Sequence, residues 1–170
     1  MVIIMKKEVI AVCPGSFDPI TVGHLDIISR AAHQFSKVIV VAMSNDAKHP
    51  VFSLDERKAL IEKCIKAEGL TNVQVDSSDL LLADYTRSVG ATVIVKGLRA
   101  VTDFEYEFQM ALTNKKLYPD AETVFLTTSA ENLYLSSSLV KMIASRGGDI
   151  SSFVPPAVHS DIINRLSKKG

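Results

Sequence analysis

Five short runs of β-branched and apolar residues, Glu8 to Cys13, Lys37 to Ala42, Val73 to Asp76, Thr92 to Lys96 and Glu122 to Leu126, alternate with stretches whose apolar residues recur at helical spacing. Leu25, Ile28, Ala32 and Phe35 form one such face, Leu60, Cys64 and Ala67 a second, and Phe104, Phe108 and Leu112 a third. Alternation of this kind predicts a parallel sheet, because parallel neighbours need a long crossover and a helix supplies it. The boundaries agree. Ser53 and Glu56 make a capping box before the second helix, and Gly69 and Gly90 stand where helices should end. Two further helical stretches, about Ser138 to Ser145 and Pro155 to Lys168, are joined through Arg146-Gly147-Gly148. The expected fold class is α/β: a doubly wound, five-stranded parallel sheet with C-terminal helices, in a single domain over 1–170.

Composition narrows the function. Hydrophobic residues make up 47% of the 170, enough for a substantial core without disulfides. Lys plus Arg and Asp plus Glu both total 19, so there is no general attraction to nucleic acid or to an acidic membrane. Cys13 and Cys64 form no C-x-x-C and read as small core hydrophobes in a reducing compartment. The apolar start, Met1 to Met5, is cut short by Lys6, Lys7 and Glu8 before a secretory or membrane segment forms, so a cytoplasmic protein is expected.

In open α/β sheets, ligands bind beyond the carboxyl ends of the strands, so the loops after the strands hold the candidate residues. Pro14-Gly15-Ser16-Phe17-Asp18-Pro19-Ile20-Thr21-Val22-Gly23-His24 follows the first run. Its glycines permit close backbone approach, and the helix starting near Gly23 offers N–H groups and a positive dipole end to a phosphate. The glycine spacing differs from G-x-G-x-x-G, and no G-x-x-x-x-G-K-[ST] occurs, which argues against a dehydrogenase or a P-loop kinase. His24 would project from the first helical turn toward a bound anion. After the fourth run, Lys96 and Arg99 flank a glycine where a cleft should open, and a guanidinium can grip phosphate with two parallel bonds. Ser136, Ser137 and Ser138 stand at a helix start, where hydroxyls either cap the helix or bind phosphate with its amides.

Together, G-S-F-D-P-I-T-V-G-H, K-G-L-R-A-V-T-D-F-E-Y-E and S-S-S-L-V-K, in that order, resemble bacterial phosphopantetheine adenylyltransferase, a nucleotidyltransferase family with a T/H-x-G-H motif. The resemblance runs from about Val9 to Leu166 and implies a Rossmann-like nucleotidyltransferase fold. It also implies roles for individual residues. His24 matches the transition-state stabiliser, and Ser16 and Phe17 match ATP contacts, Ser16 also meeting the acceptor. Lys48, Leu82 and Lys96 match acceptor-binding positions. Gly97, Leu98, Arg99 and Glu107 match ATP contacts, as does the stretch Asn132, Leu133, Tyr134, Leu135, Ser136, Ser137 and Ser138. Without the family, Leu82 would read as core and Glu107 as surface. Three departures stand out: Ser16 replaces a frequent Thr, Lys96 a usual Arg, and Asn132 to Leu135 the common aromatic-Ser-Phe-Ile.

The reaction implied is transfer of AMP from ATP to 4'-phosphopantetheine by direct in-line attack, giving dephospho-coenzyme A and pyrophosphate. Ser16, His24, Lys48 and Arg99 are the expected catalytic residues. An anionic phosphate acceptor needs no general base, so positioning and charge stabilisation are the work. Mg2+ is expected to arrive with ATP, without a protein-ligated metal site. The family also implies a homohexamer inhibited by coenzyme A. A sister transferase acting on nicotinamide mononucleotide or a sugar or polyol phosphate is the nearer rival, and a non-catalytic adenine-nucleotide sensor the more distant one.

Overall fold

The computed structural model describes residues 8–44, 49–99 and 101–167, and for 101–103 the main chain alone. The elements run β1 (Ile10–Gly15), α1 (Val22–Gln34), β2 (Lys37–Met43), α2 (Leu54–Ala67), β3 (Val73–Ser78), α3 (Leu82–Ser88), β4 (Val93–Leu98), α4 (Val101–Leu117), β5 (Glu122–Thr127), α5 (Ser137–Ser145) and α6 (His159–Ser167). Single 3-10 turns occupy Ala130–Asn132 and Pro156–Val158. All strand pairings are parallel, in the order β3-β2-β1-β4-β5.

The apolar runs of the central β1 and β2 become strands buried on both faces, as a sheet covered on two sides requires, while the edge strands β3 and β5 are only partly covered. Ala11, Cys13, Val38, Val40 and Ala42 point into the larger core, which includes Ile28 and Ala31 of α1, Ile61 and Cys64 of α2, Val140 of α5 and Ile162 of α6. Their neighbours in sequence, Val12, Ile39 and Val41, point the other way, against Tyr85 of α3 and Ala91. The Ser53–Glu56 capping box forms reciprocally, and Gly69 and Gly90 take φ values of 65° and 67° just past α2 and α3.

All five strands run further than their apolar stretches. β1 continues to Gly15, β2 to Met43, β3 to Ser78, β4 to Leu98 and β5 to Thr127, in register with the strand alongside. Main-chain pairing does not depend on apolar side chains, so the polar ends were invisible to hydrophobic pattern. Gly97 and Leu98 therefore belong to β4 rather than to the loop after it. The helical spacing of Phe104, Phe108 and Leu112 is that of α4, yet all three stay exposed, Phe104 stacking on Phe108 at 5.5 Å. No helix among the described residues is long and apolar enough to cross a membrane.

Candidate active site

From β1 the chain winds outward through β2 to β3, then returns to lay β4 and β5 on the other side of β1. The carboxyl ends of β1 and β4 thus flank the point where strand order reverses, the place where open α/β sheets bind their ligands. The G-S-F-D-P-I-T-V-G-H segment leaves β1 at this point, and Lys96, Gly97 and Leu98 end β4 beside it.

The turn after β1 is tight. Phe17 sits in the left-handed region at φ 47°, costly for a residue with a Cβ, and its ring is buried at 4% exposure. A Cβ on Gly15 would lie 2.9 Å from that ring, so the turn and the glycine require each other. Ser16, half-buried, lies between them.

Thr21 and His24 form an unusual capping box. The Thr21 hydroxyl oxygen accepts from the His24 amide at 3.3 Å, and Nδ1 of His24 accepts from the Thr21 amide at 3.1 Å and lies 3.0 Å from the Thr21 hydroxyl. A main-chain N–H can only donate, so Nδ1 is the acceptor and the proton of the neutral ring sits on Nε2. Burial, with the Arg99 and Lys96 cations adding to it, pushes His24 down to about 4. At neutral pH His24 is therefore an uncharged Nε2–H donor. An NMR titration of the free protein should show the His24 ring unprotonated from pH 8 down to about pH 5.5; an ordinary midpoint near 6.5 would contradict this reading. The same cap corrects the expectation of an open helix end. Amides of Val22, His24 and Leu25 are bonded to the Phe153 carbonyl, the Thr21 hydroxyl and the Thr21 carbonyl, so the first-turn amide left for an anion is that of Gly23.

Lys96 and Glu107 form a half-buried ion pair at 3.2 Å. Two residues with separate expected roles thus hold one another, and α4 reaches over the end of β4. Arg99 donates to the Leu135 carbonyl at 2.8 Å, tying β4 to the serine segment. The three serines divide the alternatives among them: Ser136 caps α5 by accepting from the Leu139 amide, Ser137 donates to the Pro19 carbonyl, and Ser138 is exposed. Asn132 lies over the start of α1, its Cβ 3.6 Å from where a Cβ of Gly23 would stand. Leu133 and Tyr134 are exposed, Tyr134 edge-on to Phe153, and Leu135 is buried. Leu82 begins α3, half-buried against the smaller core, so the reading as core describes only part of its surface. Lys48 lies outside the described residues.

Three residues escaped the sequence reading. Asp18, 6% exposed, accepts from the amides of Val51 and Phe52 and pairs with Lys141 of α5 at 2.7 Å. Burial alone would raise its carboxyl, but Lys141 and the two amides outweigh this and hold it below the ordinary range. Arg57 is the third, also buried. Asp18 was visible within the first motif; nothing local announced its partners. Burial pushes Cys13 and Cys64 up to about 12, so neither offers a thiolate nucleophile near neutral pH. Two open grooves of about 460 Å³ lie elsewhere, one along Ile65, Leu70 and Val75, the other along Phe35 and Val124, and neither contains a residue of this site.

Comparison with known proteins agrees with this arrangement. A family model described as cytidylyltransferase-like matches residues 12–143. A phosphopantetheine adenylyltransferase of Heliobacterium modesticaldum is 55% identical over 88% of each chain, and one of Caldanaerobacter subterraneus is 53% identical over 94% of this chain and 98% of its own. Among solved structures, the Plasmodium falciparum nicotinic acid mononucleotide adenylyltransferase, complexed with NaAD, superposes with a TM-score of 0.70 at 14% identity, covering 92% of this chain and 95% of its own. That likeness speaks for the fold alone, a Rossmann-like nucleotidyltransferase sheet. With more than half the sequence shared across nearly the full length of its relatives, and with the T-x-G-H turn set at the switch point, the chain belongs to the phosphopantetheine adenylyltransferase family.

Proposed function

We propose that this protein transfers the adenylyl group of ATP to 4'-phosphopantetheine, giving dephospho-coenzyme A and pyrophosphate. The observation that carries the reading is the neutral Nε2–H of His24, its tautomer set by Thr21, at a strand switch point bordered by Lys96 and Arg99. A phosphate oxygen of the acceptor attacks the α-phosphorus of ATP. The new P–O bond forms as the bond to the bridging oxygen breaks, and pyrophosphate leaves with the electron pair. His24 and Ser16 donate to the α-phosphate oxygens as charge redistributes. Lys48 and Lys96 hold the acceptor phosphate, with Leu82 against its organic part. Arg99 and the Gly97–Leu98 strand end meet ATP, together with Phe17, Glu107 and the segment from Asn132 to Ser138.

A neutral donor has a use here. It bonds to the developing charge without first binding the ground-state triphosphate as tightly as an imidazolium would, and transition-state preference is what raises turnover. Mg2+ comes with the nucleotide. Among the described residues no group of three or more His, Cys, Asp or Glu is placed to hold a metal, and the carboxylates of Asp18 and Glu107 are engaged by Lys141 and Lys96. Mg2+ held by ATP's own phosphate oxygens would offset their charge.

Coenzyme A carries the product's adenylate and pantetheine parts, so it would fill both subsites as an inhibitor. A cytoplasmic homohexamer completes the proposal, supported by the exposed Phe104, Phe108 and Leu112 on α4. Pyrophosphate release should be measured with ATP and a panel of phosphorylated acceptors. Release with 4'-phosphopantetheine alone is expected; release only with nicotinamide mononucleotide or a polyol phosphate would replace the acceptor, and none with any would leave a nucleotide-binding protein. Direct attack also predicts one inversion at a chiral α-thiophosphate, whereas retention would require an adenylylated intermediate.

A further inference from the structure

Arg57, in the first turn of α2, is 4% exposed and has no carboxylate against it among the described residues. Its donors go instead to main-chain oxygens: Nη1 to the carbonyls of Ser16 at 2.8 Å and Met43 at 3.2 Å, and Nε to that of Ser53 at 3.3 Å. Burying a guanidinium is expensive unless its hydrogens are satisfied, and main-chain carbonyls at fixed points accept from two of its three nitrogens. Burial works against the cation and lowers its pKa, with the negative charge of Asp18 opposing this in part. Asp18 itself is bonded to the lead-in of α2 at Val51 and Phe52 and to Lys141.

What Arg57 joins gives it its meaning. Ser16 is the first residue beyond β1, in the turn where Phe17 holds its left-handed conformation, and Met43 is the last residue of β2. On the proposed reading, on which this inference rests, the first loop presents the α-phosphate donors Ser16 and His24. We infer that Arg57 is a positioning residue for the transfer: one guanidinium nitrogen holds the Ser16 turn to the end of β2 and so keeps the α-phosphate donors placed for in-line attack. It touches neither substrate. In-line attack needs the reacting atoms about 3 to 3.5 Å apart, and a misplacement near 1 Å can cost about 100-fold.

Arg57→Lys keeps the charge, but a compact ammonium on a shorter stem cannot span both carbonyls in the guanidinium plane. In the full-length enzyme its kcat should fall by about 30-fold or more, with the KM values for ATP and 4'-phosphopantetheine within about 3-fold of wild type. Arg57→Met serves as the uncharged comparison. Thermal unfolding, followed on the same samples, separates geometry from folding. A variant that melts early while its folded fraction turns over normally would overturn the inference, as would Arg57→Lys with wild-type kcat, or KM changes that account for the whole loss. If wild type turns over ATP and 4'-phosphopantetheine normally, these failures count against Arg57 alone. Wild type that releases no pyrophosphate from that pair overturns the proposed activity and the Arg57 assignment with it.

Discussion

Replacing His24 by alanine is expected to lower turnover by about 100-fold or more, equivalent to about 3 kcal/mol, with little change in the KM for ATP. The imidazole has one free donor, Nε2–H, because Nδ1 is committed to Thr21. Its removal takes away a bond that strengthens as the α-phosphate acquires pentacoordinate character. Alanine also strips the Thr21 amide of its acceptor, and loss of a cap costs about 1 kcal/mol of stability. Turnover must therefore be compared at a temperature where both proteins are folded. A His24→Ala enzyme with near-normal kcat would place the transition-state donor elsewhere.

Loss of the Lys96 ammonium should act on the other substrate. Lys96→Ala is expected to raise the acceptor's KM by on the order of 10-fold or more, since a charge-assisted hydrogen bond is worth about 1.5 to 3 kcal/mol, while the KM for ATP changes much less. The ion pair with Glu107 refines this expectation. Lys96 arrives at the cleft already held by a carboxylate, so the acceptor phosphate has to share or displace Glu107. Alanine leaves that carboxylate half-buried without its cation, adding repulsion toward the incoming dianion. Lys96→Arg should keep activity, because the guanidinium can meet Glu107 and a phosphate at once. Equal damage to both KM values, or none to either, would remove Lys96 from the acceptor site.

Regular features were readable because each depends on neighbours in sequence. The five apolar runs reached their predicted positions, the Ser53–Glu56 box closed, and Gly69 and Gly90 stand at helix ends. His24, Lys96, Arg99 and the serine segment were legible because their motifs follow strands, and topology brings strand ends together. Partnerships between distant residues were not. Asp18 meets Lys141, and Arg57 meets Ser16, through contacts that no periodicity encodes. Lys96 and Glu107 were named separately from the family resemblance, and only the fold shows them to be each other's counter-ion. The capping role of Thr21 belongs to the same class: a T-x-G-H motif names both residues but not the proton on the ring.

The bond from the Val22 amide to the Phe153 carbonyl gives the C-terminal segment an unexpected claim on catalysis. Residues 12–143, the span matched by the family model, contain every proposed contact from Ser16 to Ser138. A fragment cut to that span would still lack the group that closes the donor-bearing helix, along with Ile150, Val154 and Ile162 of the core beneath it. The first helix of the chain is thus closed by a contact of long sequence separation, the kind that slows folding. Proteolysis between α5 and Phe153 would leave the inventory of site residues whole and the enzyme idle.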